Sequence, residues 1–206
     1  DGFRFRDYPL IMGIDSLSTP LHQAVKKLCE GPDGLYYALL FQGGITCFDK
    51  DIEKFLPVRF DKPLELKDIL DFCWNDGSLY LVTSQGLFES RIVRKTEGKH
   101  DFVLCLLNPE PVVRGKVAHL CSDGKTNLYF SVNQRKVVHY DLVAKKTSLI
   151  KEYSVVNRLF LRHGYLWICR LWDDIICYDL KTNEERVISM EGKDQSEFSN
   201  SYVTEL

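Results

Sequence analysis

One pattern recurs along the 206-residue chain, and it constrains the fold more than any composition value does. A Gly-terminated turn is followed by Leu-aromatic and then a short apolar run. The copies read Pro32-Asp33-Gly34-Leu35-Tyr36-Tyr37, Asn75-Asp76-Gly77-Ser78-Leu79-Tyr80, Ser122-Asp123-Gly124 followed by Leu128-Tyr129-Phe130, and Arg162-His163-Gly164-Tyr165-Leu166-Trp167. The glycines of these copies lie 43, 47 and 40 positions apart. Strand-patterned units repeating every 40–50 residues or so are the sequence signature of β-propeller blades.

Each copy parses as four short strands. The runs are 24–30, 35–40, 45–48 and 52–58 in the first unit, and 67–74, 79–83, 87–92 and 101–106 in the second. They are 116–122, 127–132, 137–140 and 147–151 in the third, and 155–162, 165–169, 175–178 and 185–190 in the fourth. Asp-Gly supplies the positive φ angles that tight hairpins need. Middle runs such as Leu79-Tyr80-Leu81-Val82 and Ile175-Ile176-Cys177-Tyr178 are almost wholly apolar, as in sheets covered on both faces. An acidic residue follows the third-strand aromatic in every copy: Phe48-Asp49, Phe88-Glu89, Tyr140-Asp141 and Tyr178-Asp179. Such a residue starts a turn by accepting backbone N–H bonds and needs no catalytic role.

The fold class is therefore all-β, a partial β-propeller of about four four-stranded antiparallel blades and a fragment of a larger propeller. Blades are expected at 11–60, 61–110, 111–152 and 153–192. Residues 1–10 read as the outer strand of a preceding blade and 193–206 as the first strand of a following one.

Composition narrows the function. The formal net charge is −2 with no basic stripe, which argues against a nucleic-acid partner. No apolar run approaches the roughly 18–20 residues of a membrane span, so no membrane contact is expected of this segment. Nor does the start, Asp1-Gly2-Phe3-Arg4, read as a signal peptide. Seven cysteines, all in apolar runs and without a CxxC pair, read as small buried hydrophobes with free thiols and lean toward a reducing compartment. Cys169 and Cys177 lie symmetrically about Asp173, where a hairpin disulfide is an alternative to Cys169 filling a small-residue position. Zinc-knuckle spacing, HExxH, a nucleophile elbow and a phosphate-binding Gly loop are all absent, so neither cofactor nor metal is expected. His22, His100, His119, His139 and His163 fall in different units and strand positions, which gives no catalytic cluster.

Written as Asp-Gly-x-Leu-aromatic-apolar-apolar-small, then a Gly turn, then apolar-x-aromatic-Asp, the unit resembles the two-component regulator propeller repeat. The copies that carry this are Asp76-Gly77-Ser78-Leu79-Tyr80-Leu81-Val82-Thr83-Ser84-Gln85-Gly86-Leu87-Phe88 and Gly164-Tyr165-Leu166-Trp167-Ile168-Cys169 continuing to Ile175-Ile176-Cys177-Tyr178-Asp179. Tyr stands for the repeat's Trp in three copies, and the third carries the insertion Lys125-Thr126-Asn127. The resemblance implies a non-catalytic sensing segment of a bacterial hybrid two-component histidine kinase, periplasmic, responding to an oligosaccharide and relaying to a distant kinase. A protein-interaction scaffold, cytoplasmic, is the alternative that the free thiols favour; a propeller enzyme such as a polysaccharide lyase comes third.

Propellers bind ligands mainly with the loops of one rim. The turns joining second to third strands are residues 41–44, 84–86, 133–136 and 170–174, rich in amide, guanidinium and carboxylate groups. Sugar recognition needs planar polar groups for hydroxyl pairs and an aromatic face for pyranose C–H groups. The candidate ligand-binding residues are Gln42, Gln85, Arg135, Arg170, Trp172 and Asp173. An arc of four blades also leaves two apolar blade faces to cover, by the remaining blades of the parent chain or by a second copy. Sedimentation velocity of this chain should therefore show self-association, and a monodisperse monomer would count against the arc.

Overall fold

The structure is a computed structural model that describes residues 24–41, 44–60, 69–94, 102–171 and 174–188. Among them the chain is all-β, a partial propeller whose blades are four-stranded antiparallel meanders. It divides into two units, residues 1–116 and 117–206. The strands expected upstream at Phe3–Tyr8 and downstream at Ser201–Leu206 lie outside the described residues.

In the first unit one blade runs β1 (Val25–Glu30), β2 (Tyr36–Leu40), β3 (Ile45–Asp49) and β4 (Lys54–Phe60). The next runs β5 (Ile69–Asn75), β6 (Ser78–Thr83), β7 (Gly86–Arg94) and β8 (Phe102–Leu106), followed by a short β9 (Val113–Arg114). The second unit holds β10 (Val117–Ser122), β11 (Asn127–Val132), β12 (Lys136–Asp141) and β13 (Lys146–Glu152). Its other blade is β14 (Val156–Arg162), β15 (Tyr165–Arg170), β16 (Ile175–Asp179) and β17 (Glu185–Ile188).

Local chemistry explains the reversals. Asp76-Gly77 and His163-Gly164 both carry positive φ at each residue (44° and 77°; 52° and 82°), the backbone of a two-residue hairpin turn. In the third blade the insertion is absorbed by Asp123, whose carboxylate accepts the N–H groups of Lys125 (2.8 Å) and Asn127 (3.0 Å). The acidic residue after the third strand does the turn-starting work expected of it in three blades. Asp49 accepts from Asp51 N–H (2.9 Å), Asp141 from Val143 and Ala144 (2.8 and 2.9 Å), and Asp179 from Lys181 and Thr182 (2.8 and 3.2 Å). Glu89 departs from this, because β7 runs on to Arg94 and the Glu89 carboxylate accepts from Ser78 Oγ (3.0 Å) instead.

Facing side chains from the two blades of the first unit make one apolar core: Tyr37, Leu39, Ile45, Cys47 and Val58 against Phe72, Leu79, Leu81, Phe88 and Phe102. Each such fully buried side chain contributes about 1.5–3 kcal/mol. In the second unit Tyr129, Val137 and Tyr153 meet Leu159, Leu166, Ile168, Ile176 and Tyr178. Middle strands are buried on both faces, as their unbroken apolar runs require: Leu79, Tyr80, Leu81 and Val82 are all buried.

One feature departs from the sequence reading: the blades of the first unit are not separate sheets. Their outer strands β4 and β8 pair in parallel through Val58↔Phe102, Arg59↔Val103 and Phe60↔Leu104, so one continuous path runs β1-β2-β3-β4-β8-β7-β6-β5. An outer strand exposes unpaired backbone groups, and two such edges brought together satisfy each other. Asp49, buried at the end of β3, and Arg94, at the end of β7, lie 3.8 Å apart and tie the same two blades. The pairing also draws β4 out to Phe60, whereas the outer strand was expected at residues 52–58. The cysteines are free thiols as read from the sequence, and the alternative Cys169–Cys177 disulfide does not form. The register pairs Cys169 with Ile175 and Cys177 with Trp167, which sets the two thiols diagonally, and diagonal neighbours are farther apart than a disulfide allows.

Every first strand carries a β-bulge near its start. The register shifts between Val25 and Lys27 in β1, Ile69 and Asp71 in β5, Ala118 and Cys121 in β10, and Val156 and Arg158 in β14.

Gly86 is demanded by the strap that follows β8. A Cβ there would lie 2.0 Å from the Val113 carbonyl oxygen, and its φ is +145°. At Gly77 (φ +77°) nothing lies within 4 Å of a built Cβ, so only the left-handed backbone matters. Gly86→Ala should therefore cost about 2–3 kcal/mol in urea unfolding, against about 1 kcal/mol for Gly77→Ala. Equal costs would show that the strap does not press on β7.

Candidate functional site

The turns joining second to third strands are held by backbone bonds from the connections between blades. In the first unit Phe41 N–H donates to Ala24 O (2.9 Å), just before β1. In the second blade Gln85 N–H donates to Thr83 Oγ1 (3.1 Å), and the Gln85 carbonyl accepts from Gly115 N–H (3.2 Å). Val112 N–H adds a bond to Leu87 O (2.7 Å), and β9 pairs with the start of β7.

The second unit repeats the device. Asn133 and Gln134 both have positive φ (53° and 55°), closed by Arg135 N–H donating to Val132 O at 3.1 Å. The carbonyls of Gln134 and Arg135 then accept Val156 N–H (2.7 Å) and Tyr153 N–H (2.9 Å). Leu171 N–H donates to Val155 O (2.9 Å). Backbone groups of these turns are thus consumed in holding the shape of each turn.

Of the predicted residues, Gln85 and Arg135 are exposed, each anchored through its main chain. Arg170 is half-buried: its Nε donates to Asp174 O (3.4 Å) and its Nη2 lies 3.7 Å from Asp174 Oδ2. Gln42, Trp172 and Asp173 lie outside the described residues. Arg135, on the turn before β12, and Arg170, the last residue of β15, fall in the same unit; Gln85 belongs to the other unit.

A polar cluster missed by the sequence reading lies within electrostatic reach of Arg170. Glu185, at the start of β17, accepts from Lys151 Nζ (2.6 Å) and from Tyr153 Oη (2.5 Å). The Lys151 ammonium also sits 5.7 Å from the centre of the Tyr153 ring. Burial, then the hydrogen bond to the Glu185 carboxylate, pushes the Tyr153 hydroxyl far above the usual phenol range. Burial works against the Glu185 charge, but the bonds from Lys151 and Tyr153 outweigh it and hold the carboxyl below its ordinary value; Arg170 acts in the same direction. The cluster thus brings a guanidinium, a phenol, an ammonium and two carboxylates together in one unit. The one available signal was that Tyr153 lies in the connection from an outer strand to the next first strand.

A second array crosses the third blade. His139 Nε2 meets Asn127 Oδ1 at 2.6 Å, Asn127 Nδ2 donates to Asp123 Oδ2 at 2.6 Å, and His139 Nδ1 lies 3.2 Å from Ser148 Oγ. The ring stacks on Tyr129 with centroids 5.2 Å apart. Burial opposes the Asp123 charge, yet the Asn127 side chain and the backbone N–H groups of the turn lower its carboxyl below the ordinary value. Both imidazole nitrogens are taken up within the row. Among the described residues, no group of three or more His, Cys, Asp or Glu side chains is placed to hold a metal ion.

Glu185 makes the cluster acid-sensitive. Its stabilising contribution is complete above the ordinary carboxylate range and is lost as pH falls through its lowered folded value. In urea unfolding, wild type should exceed Glu185→Gln by about 1–2 kcal/mol at neutral pH, with the gap closing as the pH is taken below the ordinary carboxylate range. A gap that persists in acid would show that charge is not what holds the cluster.

No protein-family model matches this sequence, and no curated protein matches it either. Solved structures do resemble it. The extracellular domain of a protein described as a one component system from B. thetaiotaomicron aligns at TM-score 0.67 and 13% identity, over 88% of this chain and 26% of that one. An auxiliary nutrient binding protein from Bacteroides thetaiotaomicron aligns at TM-score 0.56 and 17% identity, over 82% of this chain and 43% of that one. The extracellular domain of a protein described as a hybrid two component system from B. thetaiotaomicron aligns at TM-score 0.52 and 14% identity, over 82% and 25%. This chain thus spans from a quarter to less than half the length of these structures. At such identities the likeness establishes a shared fold, the bladed all-β architecture seen here.

Proposed function

We propose that this chain is a non-catalytic, extracytoplasmic ligand-sensing segment of a bacterial two-component sensor, responding to an oligosaccharide and relaying to a distant histidine kinase. The carrying observation is the rim of strapped turns, whose backbone groups are spent internally while polar side chains remain available. The repeat pattern supports the sensor class independently, and so do the descriptions of the structural neighbours as extracellular domains of one- and two-component systems and as a nutrient-binding protein. Gln42, Gln85, Arg135, Arg170, Trp172 and Asp173 are the proposed ligand contacts; Tyr153 and Asp174 join them around Arg170. Binding is relayed by rigid-body movement of domains rather than by chemistry at the site. The remaining blades of the parent chain, or a second copy, cover the terminal blade faces.

The free cysteines favour a second reading, a protein-interaction scaffold in a reducing compartment. Calorimetry of the full-length parent propeller against a panel of neutral and acidic oligosaccharides separates the two. Saturable binding to a sugar supports the sensor; binding to none, with a captured protein partner, supports the scaffold. On the sensor reading, Arg135→Ala should weaken sugar binding about fivefold to tenfold with Tm unchanged, because its exposed side chain carries no structural bond among those described. Unchanged affinity would remove Arg135 from the site.

A further inference from the structure

One row of polar side chains in the third blade has a chemistry that the fold does not require. His139 comes directly before the third-strand aromatic, where the other blades carry Cys47, Leu87 and Cys177. Across the pairing with the outer strand, the first blade sets Cys47 against Leu56, whereas the third sets His139 against Ser148. Tyr129 is the direct partner of His139 on β11, so Asn127, two residues earlier, shares its face and lies diagonal to it. The row starts at the turn joining first and second strands, at the opposite end of the blade from the strapped turn at 133–135.

Hydrogen-bond direction along the row is fixed from one end. The Asp123 carboxylate only accepts, and the N–H groups of Lys125 (2.8 Å) and Asn127 (3.0 Å) hold it in place. Asn127 must therefore turn its amide nitrogen toward Asp123 (2.6 Å), which leaves its oxygen for the ring. That oxygen lies 2.6 Å from His139 Nε2 and places the proton of the neutral imidazole there. Nδ1 then carries the lone pair, and it faces Ser148 Oγ at 3.2 Å. Stacking on Tyr129, at 25° with centroids 5.2 Å apart, restrains the ring further. Ser148 itself is exposed, so its hydroxyl is open to a reagent from solvent. A hydroxyl beside a base that a third group orients is the arrangement of an activated nucleophile.

We propose that Ser148 is a reactive serine, a covalent modification site for activated carboxylic esters, with His139 as its base and Asn127 and Asp123 as positioning residues. Ser148 Oγ bonds to the acyl carbon as its proton passes to His139 Nδ1. The bond from the acyl carbon to the ester oxygen then breaks, and the departing oxygen takes the proton from the imidazole. The products are O-acyl-Ser148 and an alcohol or phenol, with His139 neutral again and no change in oxidation state. The side-chain N–H groups of the row are already spent: Asn127 Nδ2 donates to Asp123 and to Thr126 Oγ1 (3.2 Å), and His139 Nε2 to Asn127. None is left for a developing oxyanion, so the donor must be an ester whose leaving group departs readily. Acylation of this kind is stoichiometric, and it holds whether or not the strapped turns bind a sugar.

The test uses the full chain, with p-nitrophenyl acetate as probe and peptide mass spectrometry to read the rate of acetylation at each position. Ser148 should be acetylated about tenfold or more faster than Ser84 and Ser154, exposed serines that serve as internal references. In His139→Gln, which keeps an acceptor for the hydroxyl but no base, the rate at Ser148 should fall to that of the references with Tm held. Asn127→Ala releases the ring and should lower the Ser148 rate about threefold or more. The references should not change, and loss of stability alone does not move that ratio. Labelling of wild-type Ser148 at the reference rate overturns the proposal, a comparison that needs no variant to fold. Fast labelling that survives in His139→Gln overturns it equally.

Discussion

Backbone hydrogen bonding at the margins of the blades is the constraint on which the rest of this structure depends. A four-stranded meander satisfies its interior ladders by itself, but its outer edge and its reversing turns keep donors and acceptors that water or another segment must meet. In the first unit the outer edges of two blades meet each other, through the parallel pairing of Val58–Phe60 with Phe102–Leu104. The second unit joins its outer strands by side chains instead, with Lys151 and Tyr153 both converging on Glu185. The turns are satisfied by the inter-blade connections, which fixes the shape of each turn.

Much of the fold was legible because it is written in local chemistry. Asp76-Gly77 and His163-Gly164 announce hairpins that only positive φ can close, and in three blades the Asp after the third-strand aromatic announces the next reversal. What could not be read is what depends on distant partners. Nothing local to Val58-Arg59-Phe60 says that its partner lies more than forty residues onward, and a one-residue bulge leaves no mark in a first strand whose exposure pattern is already irregular. The candidate site divides the same way. Arg135 and Arg170 were placed on rim turns by repeat register, whereas Glu185, which reads as an ordinary strand-opening residue, gains its role only from the neighbouring blade.

The polar and apolar seams show how one repeat can serve two ends. The seam within the first unit is filled by Tyr37, Phe72, Phe88 and Phe102, with the Tyr37 and Trp74 rings 5.1 Å apart. The seam of the second unit shares that aliphatic and aromatic core but adds Lys151, Glu185 and the hydroxyls of Tyr153 and Tyr178 toward its outer side. Charges half-removed from water keep their bonds only while the geometry holds. Such a seam is more sensitive to displacement than an oily one, and it lies in the unit that carries Arg135 and Arg170.

The parallel outer ladder of the first unit has a mechanical meaning. Blades that touch only through side chains can slide or hinge at modest cost; blades that share a hydrogen-bonded strand pair cannot separate without breaking it. The first unit is therefore one stiff body: a force applied to either of its blades reaches the other instead of being absorbed between them.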